Sequence, residues 1–577
     1  MAKLNQAMTD LMRYNAAILP RKRSMFNKNH SHATTLDSAY LVPIMWDRVL
    51  PGDEKKLRYS GLARMATPIH PTMDEAFLDT WCFFVPDRLW WCHAKEFYGE
   101  NKDASFNPDG EYVMPYLTPS QYMVKNSGNN QSERIGGLND YFGFPMGNPN
   151  AVVAFDDVPE MRVTAGLHRC YQLIWNEYYR NSSIQPALQL NDGDTVTADE
   201  WAVIREIRKV CKLPDMFTTL LREPQAGADV LLPLGEWAPV VTREANVDYY
   251  ENADPTWDGL RMSTISGVPF PNGNVLLGVA TQNGQATEPV YATTVTGSEY
   301  AVENRLVPSN LWANLSSATA STINNLRSAI TVQQLLEIDA IGGKRYQQIL
   351  NAHFGVLTPD ATLQRPELLG ATRTNIGMRQ VLQTSSTDGT SPQGNAAAVS
   401  VTNVANEWIC NKAFTEPGFI MVLAAVRPIH SYSQGIDPLL QKLQRYDHYW
   451  PVFDNLGNQP VYTREVFAQI GNAAMFTEDD AKRVFGYKEA WQEYRMRPNR
   501  VSGLMRPEAD KTLASWNYAT NFKAVPYLND AFVSEDPALI DRTIAVQSEP
   551  QFILDSYFEY TDIKNMSVHS VPGLTRL

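Results

Sequence analysis

The sequence has few cysteines and no long hydrophobic run. Five cysteines are scattered among 577 residues, so we expect no disulfide scaffold and a reducing compartment. No stretch of about 18 apolar residues occurs, which predicts that no helix spans a membrane. A basic start followed by an apolar stretch is also missing, so we expect no classical secretion signal.

The sequence also lacks the spacings that accompany common catalytic chemistry. There is no phosphate-binding G-x-x-x-x-G-K-[ST] loop, no H-E-x-x-H, no G-x-S-x-G and no paired C-x-x-C. The nearest approach to a phosphate loop is Gly342–Arg345, which lacks the first glycine and the hydroxyl. We therefore predict no catalytic residue, no cofactor and no metal ion, and a protein that is not an enzyme.

Two short patterns could hold a metal ion, but each has a plainer interpretation. Cys82, Cys92 and His93 form a close cysteine–histidine set, yet their spacing fits no structural zinc pattern. Buried, inert thiols are the favoured interpretation. The Asn191–Asp194 loop resembles a calcium loop in composition but lacks the required spacing and the closing glutamate, so a plain turn is favoured there.

Charge is unevenly distributed along the chain. The net charge of −13 has the wrong sign for a generic nucleic-acid binder. Residues 1–30, however, carry six basic side chains against one aspartate, a net of +5, which leaves −18 for the rest. We interpret residues 1–30 as a basic arm with a short amphipathic helix over residues 3–18. This arm either packs on protein or turns toward a nucleic acid.

The stretch that begins at Tyr40 indicates the fold class. Tyr40–Trp46 is an apolar run that ends before the turn at Leu50–Asp53. Over Leu57–Met65 apolar and polar residues alternate, which is the period of a half-buried strand. A proline-rich connection then precedes a third apolar run, Phe77–Val85. Strands separated by proline and glycine turns are typical of an antiparallel all-β body.

Helices are predicted in the connections that follow. His168–Arg180 has the spacing of a helix with one apolar face, and residues 199–212 predict another. Ile323–Ile338 and Lys344–His353 predict two more, separated by a pair of glycines and ended by a third glycine. Gly418–Val426, by contrast, is a short continuous apolar run and predicts a strand that is covered on both faces.

Two long intervals interrupt this pattern. Residues 101–160 are rich in asparagine, glycine and proline, and we interpret them as a surface excursion without a core of its own. Residues 236–310 are rich in threonine, glycine and asparagine, with short alternations and no helical spacing. Excursions of this length tend to be exposed and functional.

Several phrases in the β-rich stretch resemble a single family. They are LVP at residues 41–43, LPGD at 50–53, AR-x-ATPI-x-P-x-MD at 63–74 and FFVP-x-RLW at 83–90. These phrases look like the major capsid protein of Microviridae, small single-stranded DNA bacteriophages, and in particular its gokushovirus-like members. The resemblance covers most of the chain and lapses over residues 1–22, 101–160 and 236–310.

The resemblance implies a fold and an assembly. The fold is a mainly β, eight-stranded antiparallel viral jelly roll of two four-stranded sheets, with long helix-containing loop insertions. Residues 31–577 are then the jelly-roll body, and residues 236–310 are a variable loop that protrudes at the threefold axes. Sixty copies would form a T=1 icosahedral shell around circular single-stranded DNA in the virion, assembled in the bacterial cytoplasm. The residues expected to face the DNA are Arg21, Lys22, Arg23 and Lys28.

The expected partners follow from the same resemblance. They are further copies of the chain, packaged single-stranded DNA, a minor virion protein, an internal scaffolding protein and a host receptor reached by the protruding loop, with no membrane insertion. The alternative from another class is a secreted β-sandwich that binds or cleaves glycans with its aromatic residues. Cleavage would require two carboxylates in a cleft. A third possibility is another phage structural protein, such as a spike.

Overall fold

The computed structural model describes most of the chain. The described residues are 23–100, 112–125, 134–147, 158–227, 230, 240–242, 311–313, 323–382, 384, 396–402, 405–469 and 476–569. The helix predicted over residues 3–18, together with Arg21, Lys22 and most of residues 236–310, lies outside them. The chain divides into two compact units, residues 1–226 with 337–577, and residues 227–336.

The strands are numbered here in chain order. They are β1 Ser24–Asn27, β2 His30–Leu36, β3 Val42–Val49, β4 Glu54–Met65, β5 Ala76–Pro86, β6 Tyr116–Leu117, β7 Val163–Thr164, β8 Val240–Thr242, β9 Leu311–Ala313, β10 Glu367–Leu382, β11 Ala396–Thr402, β12 Ala405–Ala413, β13 Gly418–Pro428, β14 Asn458–Tyr462, β15 Val484–Glu489 and β16 Phe552–Lys564.

The helices lie mainly in the connections between strands. The α-helices are α1 Asp87–Trp90, α2 Ala94–Phe97, α3 Pro119–Tyr122, α4 Leu138–Tyr141, α5 Gly166–Ile174, α6 Ala198–Ile204, α7 Ile323–Gly342, α8 Tyr346–Phe354, α9 Thr463–Val466, α10 Glu478–Lys482, α11 Asp530–Val533 and α12 Ala538–Asp541. Short 3-10 turns occupy Pro159–Met161, Pro438–Gln441, Arg445–Asp447, Pro451–Phe453, Gln492–Tyr494, Gly503–Met505 and Ala514–Trp516.

Two antiparallel sheets form the centre of the first unit. One has the order β1-β16-β4-β12, with β2 also pairing with β16, and the other has the order β11-β10-β5-β13-β3. The prediction of a mainly β, jelly-roll-like body is confirmed. The predicted count of four strands per sheet differs from the five found in each. In the first sheet, β1 and β2 share one edge, because both pair along β16. In the second, the far end of β10 leaves β5 and pairs with β11.

The main core lies between these two sheets. On β4 the alternating residues Leu57, Tyr59, Ala63 and Met65 are buried, as the period of two predicted. They belong to one apolar cluster with alternate residues of β5, β13 and β16. Burial of each such large side chain is worth about 1.5 to 3 kcal/mol, so this cluster holds the two sheets together.

A second core covers the outer face of the β3-containing sheet. Phe419, Met421 and Leu423 on β13 point away from the first core and pack with Cys170 and Ile174 of α5. The intervening β13 residues belong to the core between the sheets. The prediction that this strand is covered on both faces is therefore confirmed.

Two helix predictions have different outcomes. The helix predicted over His168–Arg180 is confirmed, as α5 followed by a π-helical turn at Trp175–Tyr179. The helix predicted over residues 199–212 is wrong beyond Ile204, where α6 ends. The backbone after it pairs with the segment before β3 instead, through hydrogen bonds of 2.9 Å from Leu41 N to Arg208 O and 2.7 Å from Val210 N to Ala39 O.

The glycine signals near α7 and α8 act as predicted. The helix α7 ends at Gly342, and Gly343 adopts a φ of 95°. The helix α8 then ends at Gly355, whose φ of 65° lies in the left-handed region that closes many helices. The predicted pair of helices is confirmed.

The described residues of the second unit are 227, 230, 240–242, 311–313 and 323–336. Its strands β8 and β9 pair antiparallel, with Val241 opposite Trp312. Residues 243–310 lie between these strands, so the two ends of that long interval are held side by side. Within the described ranges, every helix is too short or too polar to be a candidate membrane span.

Candidate functional site

The predicted DNA-facing residues that the structure describes lie beside the edge strand β1. Arg23 immediately precedes the strand, and its guanidinium donates to the carbonyl oxygen of Gly52 at 2.8 Å and lies 3.8 Å from the Glu54 carboxylate. Lys28 immediately follows the strand. Both residues therefore lie where the N-terminal arm joins the β body.

Lys28 belongs to a charge cluster of three lysines, three aspartates and a tyrosine. Its Nζ lies 3.0 Å from the Asp47 carboxylate and 2.9 Å from that of Asp562. The fully buried Lys55 reaches the same two carboxylates, at 2.7 and 3.3 Å. Lys564 completes the set, with its Nζ 2.8 Å from Asp53 and 3.2 Å from Asp562. We call these six residues with Tyr560 the arm-root cluster.

The electrostatics of the arm-root cluster favour the charged forms of Asp47 and Lys28. Burial by itself opposes ionisation of Asp47, but Lys55, Tyr560 and Lys28 outweigh it and hold the pKa of that carboxyl at about 2. Burial also works against the charge of Lys28, yet Asp562 and Asp47 raise its pKa above the usual value. The Tyr560 hydroxyl hydrogen-bonds Asp47 and Lys55, and burial together with Asp47 raises the pKa of that phenol.

The cluster therefore has a structural consequence. Its three lysines balance its three aspartates, so the charge of Lys28 is compensated within the chain. The ion pairs connect Lys28, which follows β1, and Asp562 of β16 to Asp47 of β3 and Lys55 of β4. Because β3 belongs to the other sheet, the arm-root cluster joins the two sheets. The prediction that Arg21, Lys22, Arg23 and Lys28 face DNA stays a prediction.

A second polar group lies at the surface beside α1. Cys92 is exposed, so the expectation of a buried thiol is wrong there, although it holds for Cys82. Cys92 Sγ lies 3.4 Å from His93 Nδ1, and the same nitrogen lies 2.9 Å from Asp194 Oδ1. In the sequence, Asp194 belongs to a separate predicted turn, and no local pattern connects it with Cys92 and His93.

The arrangement of these groups does not match a nucleophile–base relay. Such a relay uses one ring nitrogen toward the nucleophile and the other toward the carboxylate. Here Nδ1 faces both partners. Burial, with Asp192 and Asp194 nearby, raises the pKa of the Cys92 thiol, which is the opposite of an activated cysteine.

A third feature is a stretch of exposed apolar side chains over residues 436–456, which we call the apolar surface segment. Short 3-10 turns and loops carry it, and none of its large apolar residues reaches a core cluster of the described chain. Its exposed apolar residues are Ile436, Leu440, Leu443, Tyr446, Tyr449, Trp450, Val452 and Leu456. Leu443 and Val452 are 88% and 87% exposed, which is unusual for such side chains.

Comparisons with known proteins give consistent matches over nearly the whole chain. A family model described as "Capsid protein (F protein)" matches residues 18–574. Capsid protein VP1 of Chlamydia phage 1 is 34% identical over 606 residues, covering 96% of each chain. Capsid protein VP1 of Spiroplasma virus 4 is 34% identical over 592 residues, covering 100% of this chain and 99% of that protein. Capsid protein VP1 of Bdellovibrio phage phiMH2K is 33% identical over 560 residues, covering 96% and 95%.

Proposed function

Because this chain belongs to the family described as Capsid protein (F protein), we propose that sixty copies of it close into a T=1 icosahedral shell around circular single-stranded DNA. Its structural role as a capsid protein and its place in the virion follow from family membership. The alternative of a secreted glycan-binding or glycan-cleaving β-sandwich is not supported by these relatives. We further infer that the chain acts by assembly rather than by catalysis.

The apolar surface segment is the observation that carries the assembly proposal. A monomer in water gains nothing from eight large apolar side chains held outside its cores. Contact between subunits would bury them, and each fully buried leucine or valine contributes about 1.5 to 3 kcal/mol before the cost of association. Closed symmetry repeats every such contact around the shell. The occupant that we propose for this surface is a second copy of the chain.

A charge substitution in the segment tests the proposal. We expect Leu443→Asp to prevent closed shells, because a desolvated carboxylate in the contact has no partner. Leu443→Met, which keeps an apolar side chain of similar volume, is the matched control and should assemble. The fraction of chain that sediments as closed particles measures the outcome, and circular dichroism checks that each variant folds. Normal shells from Leu443→Asp would refute this role of the segment.

We propose that the arm of residues 1–30 faces the packaged DNA. Its net charge of +5 on an otherwise acidic chain supports this, since lysine and arginine neutralise phosphates regardless of sequence. Lys28 is compensated by two carboxylates, those of Asp47 and Asp562, at 3.0 and 2.9 Å, whereas Arg23 has, among the described residues, only the Glu54 carboxylate, at 3.8 Å. Arg21, Lys22 and Arg23 are therefore the stronger candidates for phosphate contact. Changing these three residues to glutamine should reduce the DNA content of shells that still assemble; unchanged DNA content would contradict the proposal.

We propose that residues 236–310 protrude from the shell at the threefold axes and contact the bacterial surface. The pairing of β8 with β9 supports an excursion whose ends lie together. A short linker in place of residues 243–310 should therefore leave shells intact and reduce phage adsorption. Adsorption at the normal rate would exclude the host-contact role. A minor virion protein and an internal scaffolding protein are the further partners proposed.

A further inference from the structure

Two loops that are far apart in sequence meet beside α1. The first is the turn Trp91–His93, which follows α1 directly, and the second is the loop Asn191–Thr195. The backbone N–H of Cys92 donates to the carbonyl oxygen of Asp192 at 2.8 Å. The side chains of Cys92, His93 and Asp194 consequently gather on one side of this junction.

The three side chains present three different metal-binding atoms to one point. Cys92 Sγ, His93 Nδ1 and a carboxylate oxygen of Asp194 all lie within 4.8 Å of one another. In a tetrahedral zinc site, with bonds of about 2.0 to 2.3 Å, neighbouring ligand atoms lie about 3.3 to 3.6 Å apart. The distance of 3.4 Å between Sγ and Nδ1 already matches, and the distance of 2.9 Å between Nδ1 and Asp194 Oδ1 requires only a small opening.

Buried groups hold both loops in place from beneath. The guanidinium of Arg169, which is fully buried, donates to the carbonyl oxygen of Trp90 at 3.3 Å and to that of Gly193 at 2.8 Å. Its Nε is paired with the buried Glu200 at 2.8 Å. The Arg169 guanidinium thus bonds both to Trp90, which precedes the turn Trp91–His93, and to Gly193, the central residue of the loop Asn191–Thr195.

The carboxylate also has its own orienting partner. The indole N–H of Trp91 donates to Asp194 Oδ1 at 2.7 Å, and Trp91 is completely buried. Donors of this kind fix the direction of a ligating carboxylate and are a regular part of metal sites. A simple surface ion pair between His93 and Asp194 would not require a thiol beside the ring or a buried donor behind the carboxylate.

We propose that Cys92, His93 and Asp194 form a binding site for a divalent transition metal of the zinc class, with three protein ligands and a fourth position open to solvent. Thiolate and imidazole ligands favour such ions over calcium or magnesium, which prefer oxygen. On binding, the thiol proton and any proton on Nδ1 pass to solvent, and bonds from the metal to sulfur and nitrogen form in their place. The bound ion would pin the Asn191–Thr195 loop to the start of the turn after α1.

Cobalt(II) is the probe for this site, because a thiolate bound to cobalt gives a charge-transfer absorption in the near ultraviolet. The full chain, reduced with a non-chelating phosphine, should bind one equivalent of Co2+ with that band, and Zn2+ should displace it. Cys92→Ser should abolish the band. Cys211→Ser, which removes a half-buried thiol elsewhere, is the matched control and should keep it.

A second variant tests the hydrogen bond that orients the Asp194 carboxylate, and it leaves all three metal ligands in place. Trp91→Phe keeps the ring but removes the donor to Asp194, and we expect it to weaken Co2+ binding about ten- to a hundredfold. Zn2+ should also raise the melting temperature of the wild-type chain and not that of Cys92→Ser. The proposal is overturned if the wild-type chain gives no thiolate band, or if the band persists in Cys92→Ser.

Discussion

His168 is a fully buried histidine surrounded by aromatic rings. Its ring centroid lies 5.0 Å from that of Phe142, 5.9 Å from Phe144 and 5.4 Å from Trp201, and its Nε2 lies 2.9 Å from Asn139 Oδ1. The neutral ring donates its Nε2–H to that amide oxygen. Burial among these rings lowers the pKa of His168 to about 3. The side chain is thus a neutral core residue at physiological pH.

This histidine predicts an acid sensitivity of the unassembled chain. Its folded pKa of about 3 lies below the ordinary histidine pKa of about 6.5, so the unfolded chain takes up the proton first. Stability is therefore full above pH 6.5 and falls by about 1.4 kcal/mol per unit as the pH drops toward 3. His168→Gln keeps a donor for Asn139 but does not titrate. It should flatten this loss, measured as the free energy of unfolding between pH 7 and pH 4.

The exposed His448 provides the control for that measurement. His448→Gln should leave the acid dependence of unfolding as steep as in the wild-type chain. If His168→Gln has the same pH slope as His448→Gln, then His168 does not carry the acid sensitivity.

Asp47 gives a second prediction at this scale. Asp47→Asn removes the carboxylate that pairs with Lys55 and Lys28. We expect a loss of about 3 kcal/mol at pH 7, since the buried Lys55 then keeps a single carboxylate partner in the described part of the chain, Asp562. The depressed pKa of Asp47 stabilises the fold above pH 3.8, and this contribution disappears as the pH falls toward 2. Asp555→Asn, on the exposed face of β16, should change the free energy of unfolding by less than about 0.5 kcal/mol. Equal effects from the two variants would contradict the account of the cluster.

At the scale of elements, the local hydropathy pattern predicts a strand correctly where the segment has one clear pattern, either strict alternation or a continuous apolar run. The alternation over Leu57–Met65 and the continuous apolar run at Gly418–Val426 predicted β4 and β13 correctly. The strand β16 was not predicted, although Phe552, Leu554, Phe558 and Tyr560 alternate with exposed residues. The local sequence pattern could not predict where α6 ends. The backbone at residues 208–210 is fixed by hydrogen bonds to residues 39–41, about 170 residues earlier in the chain.

The first residue of β13, Gly418, must be a glycine because the neighbouring strand leaves no room for a side chain. A Cβ on Gly418 would lie 2.3 Å from the carbonyl oxygen of Val85, on the neighbouring strand β5. Gly418→Ala should therefore force the two strands apart and cost about 2 kcal/mol or more. Gly377 on β10 is the control, since a Cβ there meets nothing within 4 Å. Gly377→Ala should be close to neutral, and urea unfolding of both variants measures the difference.

At the scale of the whole molecule, the family and the capsid role could be recognised from phrases near residues 41–90, and both are confirmed. The spatial partners of the charged and metal-binding side chains could not be recognised from the sequence. Lys28 was predicted to face DNA, but only the fold brings Asp47 and Asp562 to it from distant strands. Cys92 and Asp194 are about a hundred residues apart, and only the fold brings them together. Long-range contacts of this kind leave no local pattern in the sequence.

The mass of the assembled particle tests the central claim most directly. Sixty copies of a 64.9-kDa chain give a protein shell of about 3.9 MDa. Light scattering with electron microscopy of the purified chain, alone and with the scaffolding protein, should show closed and uniform particles of this protein mass. A monodisperse monomer or small oligomer under both conditions would contradict the account.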